Sequence, residues 1–186
     1  MLLALSLCAS ACAGAGARPK TAHDLSPGSL YPLGVGYAWS YDVDTGDAQP
    51  TLAVARVVQL RDGIAEVKTA TDSLLRYLVR SDGIERADHS GYLLKAPIGP
   101  GASWASGTGL VARVAQWHLT LDTPAGKLSD CVVVDEQNAA SGQHVTTTYC
   151  PGVGPALVVS EMEVRGQTLR VVARLRGYAL EASAAP

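Results

Sequence analysis

The sequence predicts one antiparallel all-β domain: a curved sheet, half-barrel or barrel of about nine to eleven strands. Three observations carry that expectation. Apolar and polar residues alternate with period two over most of the chain, as in Leu169-Arg-Val-Val-Ala-Arg-Leu175. Gly pairs of turn type (Asp62-Gly63, Asp82-Gly83, Arg165-Gly166) punctuate the alternating runs, and Asp-Gly between such runs is a strong hairpin signal because both residues tolerate positive φ. No segment beyond the N-terminal leader sustains a long helical stripe. The run 71–80 also fits one, with Asp72 as a cap, but the Asp-Gly that follows favours a strand.

The chain begins with MLLALSLCASACAGAGA, seventeen residues without a charge. Its apolar run is shorter than the ~20 residues needed to span a bilayer and closes on small residues, as an export signal does. No Lys or Arg precedes it, which points to a start upstream of Met1. Ala9-Ser-Ala-Cys12 reads as a lipobox, predicting a signal peptide over 1–11 and lipidation of Cys12. Cleavage after Ala11, Ala15 or Ala17 without lipid is the alternative. Residues 12–28 read as a flexible tether, 29–180 as the β domain, and 181–186 as a disordered tail. About 170 residues remain after the signal, enough for a single core. The formal net charge of −2 gives no electrostatic case for a nucleic-acid partner.

Within the domain, strands are expected over 37–43, 51–60, 64–70, 74–80, 84–87, 110–121, two runs around Cys131 and Cys150, 158–164 and 168–176. Leu52, Val54, Val58 and Leu60 form one apolar stripe, broken by Arg56. Val111, Ala115, Trp117, Leu119 and Leu121 form another, broken by Arg113. Cys131 and Cys150 are the two cysteines of the mature chain. A hairpin turning between Ala140 and Ser141 sets them opposite each other, with Val132 facing Tyr149, Val134 facing Thr147 and Glu136 facing Val145. That register predicts a cross-strand disulfide, which suits an oxidising compartment; a pair of free thiols is the alternative.

Pro32-Leu-Gly-Val-Gly-Tyr-Ala-Trp39 returns sixty-five residues later as Pro97-Ile-Gly-Pro-Gly-Ala-Ser-Trp104. Each copy is a glycine bend leading to a core Trp, and a binding lip shared by Trp39 and Trp104 is the functional reading. Tyr31-Pro-Leu-Gly-Val-Gly-Tyr-Ala-Trp-Ser-Tyr41 resembles the opening Y-P-L-x-x-G-x-x-W-x-Y of a loosely defined group of bacterial envelope proteins and lipoproteins. Similar echoes occur at Ser81-Asp-Gly-Ile84, Tyr92-Leu-Leu-Lys-Ala-Pro97 and Tyr149-Cys-Pro-Gly-Val-Gly154. The resemblance implies an exported β domain and supplies no catalytic residue.

Catalytic signatures are weak throughout. His23, His89, His118 and His144 form no HxH or HExxH pair, so a metal site would have to assemble His118 and His144 across strands. Ser103 lacks the strand–turn–helix setting of a nucleophile elbow. Glu161 with Glu163, and Asp42 with Asp44, read as solvated pairs. Asp42, Asp44 and Asp47 offer three carboxylates around a glycine turn without the remainder of a calcium loop. Arg165, Arg170, Arg174 and Arg176 form a basic strip that suits an edge strand or an anionic surface.

The sequence therefore predicts a non-enzymatic lipoprotein of the cell envelope with no cofactor or metal. Its partners would be the membrane through the N-terminal lipid and either a protein or an apolar small ligand. A secreted hydrolase or metal enzyme using His118 and His144, and a subunit of an envelope complex, are the alternatives. The intact mass of the mature protein checks the anchor. A chain beginning at Cys12 with added diacylglycerol and acyl mass is expected, and an unlipidated mass would make the domain a soluble secreted one.

Overall fold

The computed structural model describes residues 25–46 and 49–180. The signal peptide, Cys12, His23, Asp47 and the tail 181–186 lie outside the described residues. The described chain is antiparallel β apart from one helical turn, α1 (Pro27–Leu30). Ser26 caps α1 by accepting the Ser29 amide, and a proline opens the turn. Pro27 is buried and Leu25 packs on the core, so residues 25–28, expected in the tether, belong to the domain.

Twelve strands follow among the described residues: β1 (Ala38–Asp44), β2 (Thr51–Arg61), β3 (Ile64–Lys68), β4 (Leu74–Arg80), β5 (Gly83–Arg86), β6 (Tyr92–Lys95), β7 (Ser103–Gly107), β8 (Leu110–Thr123), β9 (Gly126–Asn138), β10 (Gln143–Cys150), β11 (Gly154–Val164) and β12 (Gln167–Ala179). They form one sheet in the order β6-β5-β4-β3-β2-β1-β12-β11-β10-β9-β8-β7. Each strand but β6 pairs with its sequence successor, β12 turns back to pair with β1, and the sheet curls until β6 meets β7. The result is a nearly closed up-and-down barrel. The two strands absent from the expected runs are β6 and β7, whose few residues are too short to show alternation.

The expected register of the β9–β10 hairpin is present: Val132 faces Tyr149, Val134 faces Thr147 and Glu136 faces Val145. A disulfide joins Cys131 to Cys150 one position beyond that ladder. The β2–β3 turn uses Asp62 and Gly63, both at positive φ. The β4–β5 turn is centred one residue early, on Ser81 and Asp82, with Gly83 already in β5. Gly83 is needed there by contact, since a Cβ would lie 2.5 Å from the Leu94 carbonyl of β6.

The β2 stripe and the start of the β8 stripe do not face the core. In β2, Val57 is the fully buried residue while Leu52, Val54, Val58 and Leu60 are exposed. The register shift between Val57 and Gln59 changes the phase of the strand there. In β8, Ala112 and Val114 point inward and Val111 outward. Three register shifts then bend the β8–β9 hairpin, so Trp117, Leu119 and Leu121 are half-buried. Its tip reaches β12, where the Ala125 amide donates to the Leu175 carbonyl at 3.2 Å.

The barrel is filled from its N-terminus. Leu30 and Tyr31 enter at the end formed by the β10–β11 turn, where the Gly152 amide donates to the Ser29 carbonyl at 2.8 Å. The Tyr31 ring lies 5.3 Å from Trp39 on β1, 6.0 Å from Tyr77 on β4 and 6.3 Å from Tyr149 on β10. Strands β4 and β10 are six steps apart in the sheet order, so one ring spans opposite walls. Trp39 donates its Nε1–H to the Val153 carbonyl at 2.6 Å, and Tyr41 donates its hydroxyl to Pro155 at 2.9 Å. These bonds close the same end. Tyr31→Ala would leave a cavity touching three strands, and a loss of about 3–5 kcal/mol is expected. Urea unfolding of the variant against wild type measures it.

Candidate functional site

The opposite end of the barrel is open, and strand parity defines what lines it. Trp39, Tyr41 and Val43 share the concave face of β1, and Tyr41 pairs with Leu175. Ala173, Val171 and Leu169 therefore also point inward on β12. Val171 pairs with Ser160, which puts Met162 on the same face of β11. Tyr77 touches Tyr31, so Leu75, two residues away on β4, faces inward as well. Towards the open end these side chains lose their cover: Leu75 is 45 % exposed, Met162 43 %, Leu169 54 % and Val171 38 %. Strands β4 and β12 lie four steps apart in the sheet order, so the uncovered apolar groups stand on separate walls of one mouth.

The inner part of this mouth is polar at one point. Arg86, on β5, donates from a terminal guanidinium nitrogen to Glu136 Oε1 on β9 at 3.0 Å, and from Nε to the Ser106 carbonyl on β7 at 2.6 Å. Glu136 is buried beside Tyr77 and Tyr149. Burial, followed by the charge of Glu136, pushes the Tyr149 hydroxyl up; burial likewise raises Tyr31 and Tyr77. These tyrosine hydroxyls stay neutral at ordinary pH. A cavity of about 410 Å³ opens against Leu75, Tyr77, Arg86 and Asp88. Most of the mouth is thus apolar, with one compensated ion pair at its inner edge.

A second cluster lies on the convex face, as a row of charges across five strands. Arg113 on β8 reaches Asp135 on β9 at 3.4 Å, and Asp135 is bonded to His144 Nε2 on β10. His144 Nδ1 lies 3.6 Å from Glu161 on β11, which accepts from Arg170 Nε on β12 at 3.0 Å. Thr146 and Gln137 also donate to Asp135, at 3.2 and 2.8 Å. Burial works to raise the Asp135 carboxyl, but the bonds from His144, Thr146 and Arg113 outweigh it and hold it below the usual aspartate range. Ser103 shares a shallow cavity of about 280 Å³ with Arg113, Asp135 and Gln137. Both nitrogens of His144 face carboxylates, leaving neither free to take the Ser103 proton, so the row is no nucleophile relay.

The remaining sequence candidates separate. His118 pairs with Asp130 at 3.4 Å on the bent hairpin, away from His144, and His89 bonds Glu85 at 2.9 Å. Among the described residues no group of His, Cys, Asp and Glu is arranged to hold a metal ion. Asp42 accepts from Arg176 at 2.9 Å, and Asp44 accepts the Gly46 amide at 2.9 Å. The basic strip is thereby partly neutralised, through Arg176 and through Arg170. Trp39 and Trp104 do not form a lip: they are 1 % and 7 % exposed and stand six steps apart in the sheet order. Trp104 donates Nε1–H to the Tyr92 carbonyl at 2.8 Å, a structural role like that of Trp39.

No protein-family model matches the chain, and no curated protein matches it in sequence. Two solved structures are similar in fold. One is a presumed exported protein with a YmcC-like fold from Bacteroides fragilis, 15 % identical over 80 % of this chain and 98 % of that one, with a TM-score of 0.47. The other is a presumed lipoprotein from Parabacteroides distasonis, 11 % identical over 81 % of this chain and 98 % of that one, with a TM-score of 0.41.

The convex row predicts an acid-dependent stability. An aspartate held below its unfolded value of ~3.9 contributes fully above that pH, and its contribution is lost as pH falls through the folded value. Asp135→Asn is expected to cost about 1–3 kcal/mol at pH 7. Its deficit against wild type should shrink below about pH 4, as read from urea midpoints across pH.

Proposed function

We propose that this protein is an exported, lipid-anchored envelope domain without enzymatic activity, whose open end takes up a small apolar ligand such as an acyl chain. The observation that carries the reading is the uncovered apolar lining on the concave face: Leu75, Met162, Leu169 and Val171. Apolar groups that stand exposed together in a concavity mark a place for an apolar partner.

The N-terminus supports the placement. The polypeptide enters the barrel at the closed end, where Ser29 meets Gly152. Twelve residues lie between Cys12 and Leu25. An anchor at Cys12 would tie down the closed end and leave the mouth facing the aqueous compartment. The Cys131–Cys150 disulfide suits an oxidising space. The hydrolase reading loses support because His144 is held between two carboxylates. The envelope-complex reading keeps one observation in its favour: Leu52 and Val54 are exposed on the convex face of β2.

Titration with the neutral apolar fluorophore N-phenyl-1-naphthylamine tests the mouth. Saturable binding to the wild-type protein is expected. A Met162→Glu, Leu169→Glu double variant should weaken it about tenfold or more, because it places charges where the probe would be buried. Leu52→Glu on the convex face should leave it unchanged. Absence of saturable binding by wild type, or equal weakening by Leu52→Glu, rejects the reading.

A further inference from the structure

We infer that the barrel has a lateral gate at the β6/β7 boundary, with Arg86 as its latch, through which an apolar ligand reaches the concave face. The inference rests on the ligand-binding reading for its purpose, but not for its mechanics. Strands β6 and β7 are the two ends of the sheet order and share no backbone ladder. Every other neighbouring pair in the ring is held by repeated N–H···O bonds, so this boundary requires the least to part.

Side chains take the place of the missing ladder. Trp104 on β7 donates Nε1–H to the Tyr92 carbonyl of β6 at 2.8 Å. Arg86 crosses from β5 with its Nε on the Ser106 carbonyl of β7 and its terminal nitrogen on Glu136 of β9. Backbone packing completes the closure: a Cβ on Gly91 would lie 2.5 Å from the Ala105 carbonyl. Three side-chain bonds and a glycine contact thus stand where a ladder would run. Two of the three bonds belong to Arg86.

Two further features fit a boundary that opens. The Ser106 hydroxyl is fully buried at the boundary without a hydrogen-bond partner. Parting the strands would give it water, so opening recovers a cost that closure imposes. Cavities also flank the β5–β6 hairpin on both sides. A groove of about 460 Å³ lies over the boundary, lined by Tyr92, Pro97, Ala102 and Trp104, with Lys95 above the Tyr92 ring. On the other side, Arg86 lines the cavity of about 410 Å³ at the mouth. Swinging the hairpin outward, with Arg86 released, would join the two.

Hydrogen exchange read by mass spectrometry on the mature full chain tests the gate. In wild type, amides of Tyr92–Lys95 and Ser103–Gly107 should exchange faster than those of β10 and β11. Arg86→Met with Glu136→Gln removes the latch without stranding a buried charge. It should accelerate exchange at β6 and β7 about tenfold or more, as loss of charged hydrogen bonds implies, with β10 and β11 unchanged. Trp104→Phe, which keeps the ring and removes the donor, should produce the same local pattern with a smaller amplitude. Both variants should raise the association rate of N-phenyl-1-naphthylamine. Acceleration spread evenly over all strands, or none at β6 and β7, overturns the gate. Local acceleration with no binding of the probe by any form leaves the gate standing and overturns the ligand-binding reading and the purpose assigned to the gate.

Discussion

Tyr31 is the contact on which the rest of the barrel depends. A curled sheet of twelve strands encloses more space than short side chains can fill, and the chain has no Phe. The missing volume comes from outside the sheet, as a strap whose Leu30 and Tyr31 are buried. Tyr31 meets Trp39, Tyr77 and Tyr149, and so ties three separated strands to one ring. Edge-on and tilted ring pairs of this kind add to the burial they bring. With the space filled near one end, the opposite end is left open, and the candidate mouth is the remainder of an interior that the strap does not reach.

Charge is distributed according to the same division. On the convex face, Arg113, Asp135, His144, Glu161 and Arg170 form a chain of polar contacts across adjacent strands, stitching β8 to β12. On the concave face the Arg86–Glu136 ion pair is largely shielded from water and reaches across the boundary that lacks a ladder. Removing either partner would strand the other charge in a poorly solvated place, which is why this pair has structural leverage that the exposed pairs lack.

Much of this was legible in the residues. Alternation and turn chemistry identified the class and most strands, and the cysteine spacing identified the β9–β10 register. That register placed Glu136 on the face of Val132 and Val134, so an inward carboxylate in need of a partner was already visible. Its partner was not, because Arg86 lies fifty residues away on a strand of four residues. The faces of β2 and β8 were misread from their first residues: Leu52, Val54 and Val111 alternate as an apolar stripe yet point outward ahead of any bulge, and the bulges then change the phase of the residues that follow. The two tryptophan motifs were read correctly as bends leading to core rings. Their spacing in sequence carried no information about their standing on opposite sides of the sheet.

The pairing of β1 with β12 has a consequence for biosynthesis. The chain's first strand finds its permanent neighbour only in the last one, and Ala38 faces Ala179 across that ladder. Tyr31, which precedes both, is enclosed by strands made long after it. A polypeptide threaded across a membrane from its N-terminus would therefore deliver the plug first and the closing strand last. Until β12 arrives, β1 has one free edge and the aromatic cluster lacks part of its wall. Contacts of such long sequence separation fold slowly, so in such a passage closure would wait until the whole chain had crossed.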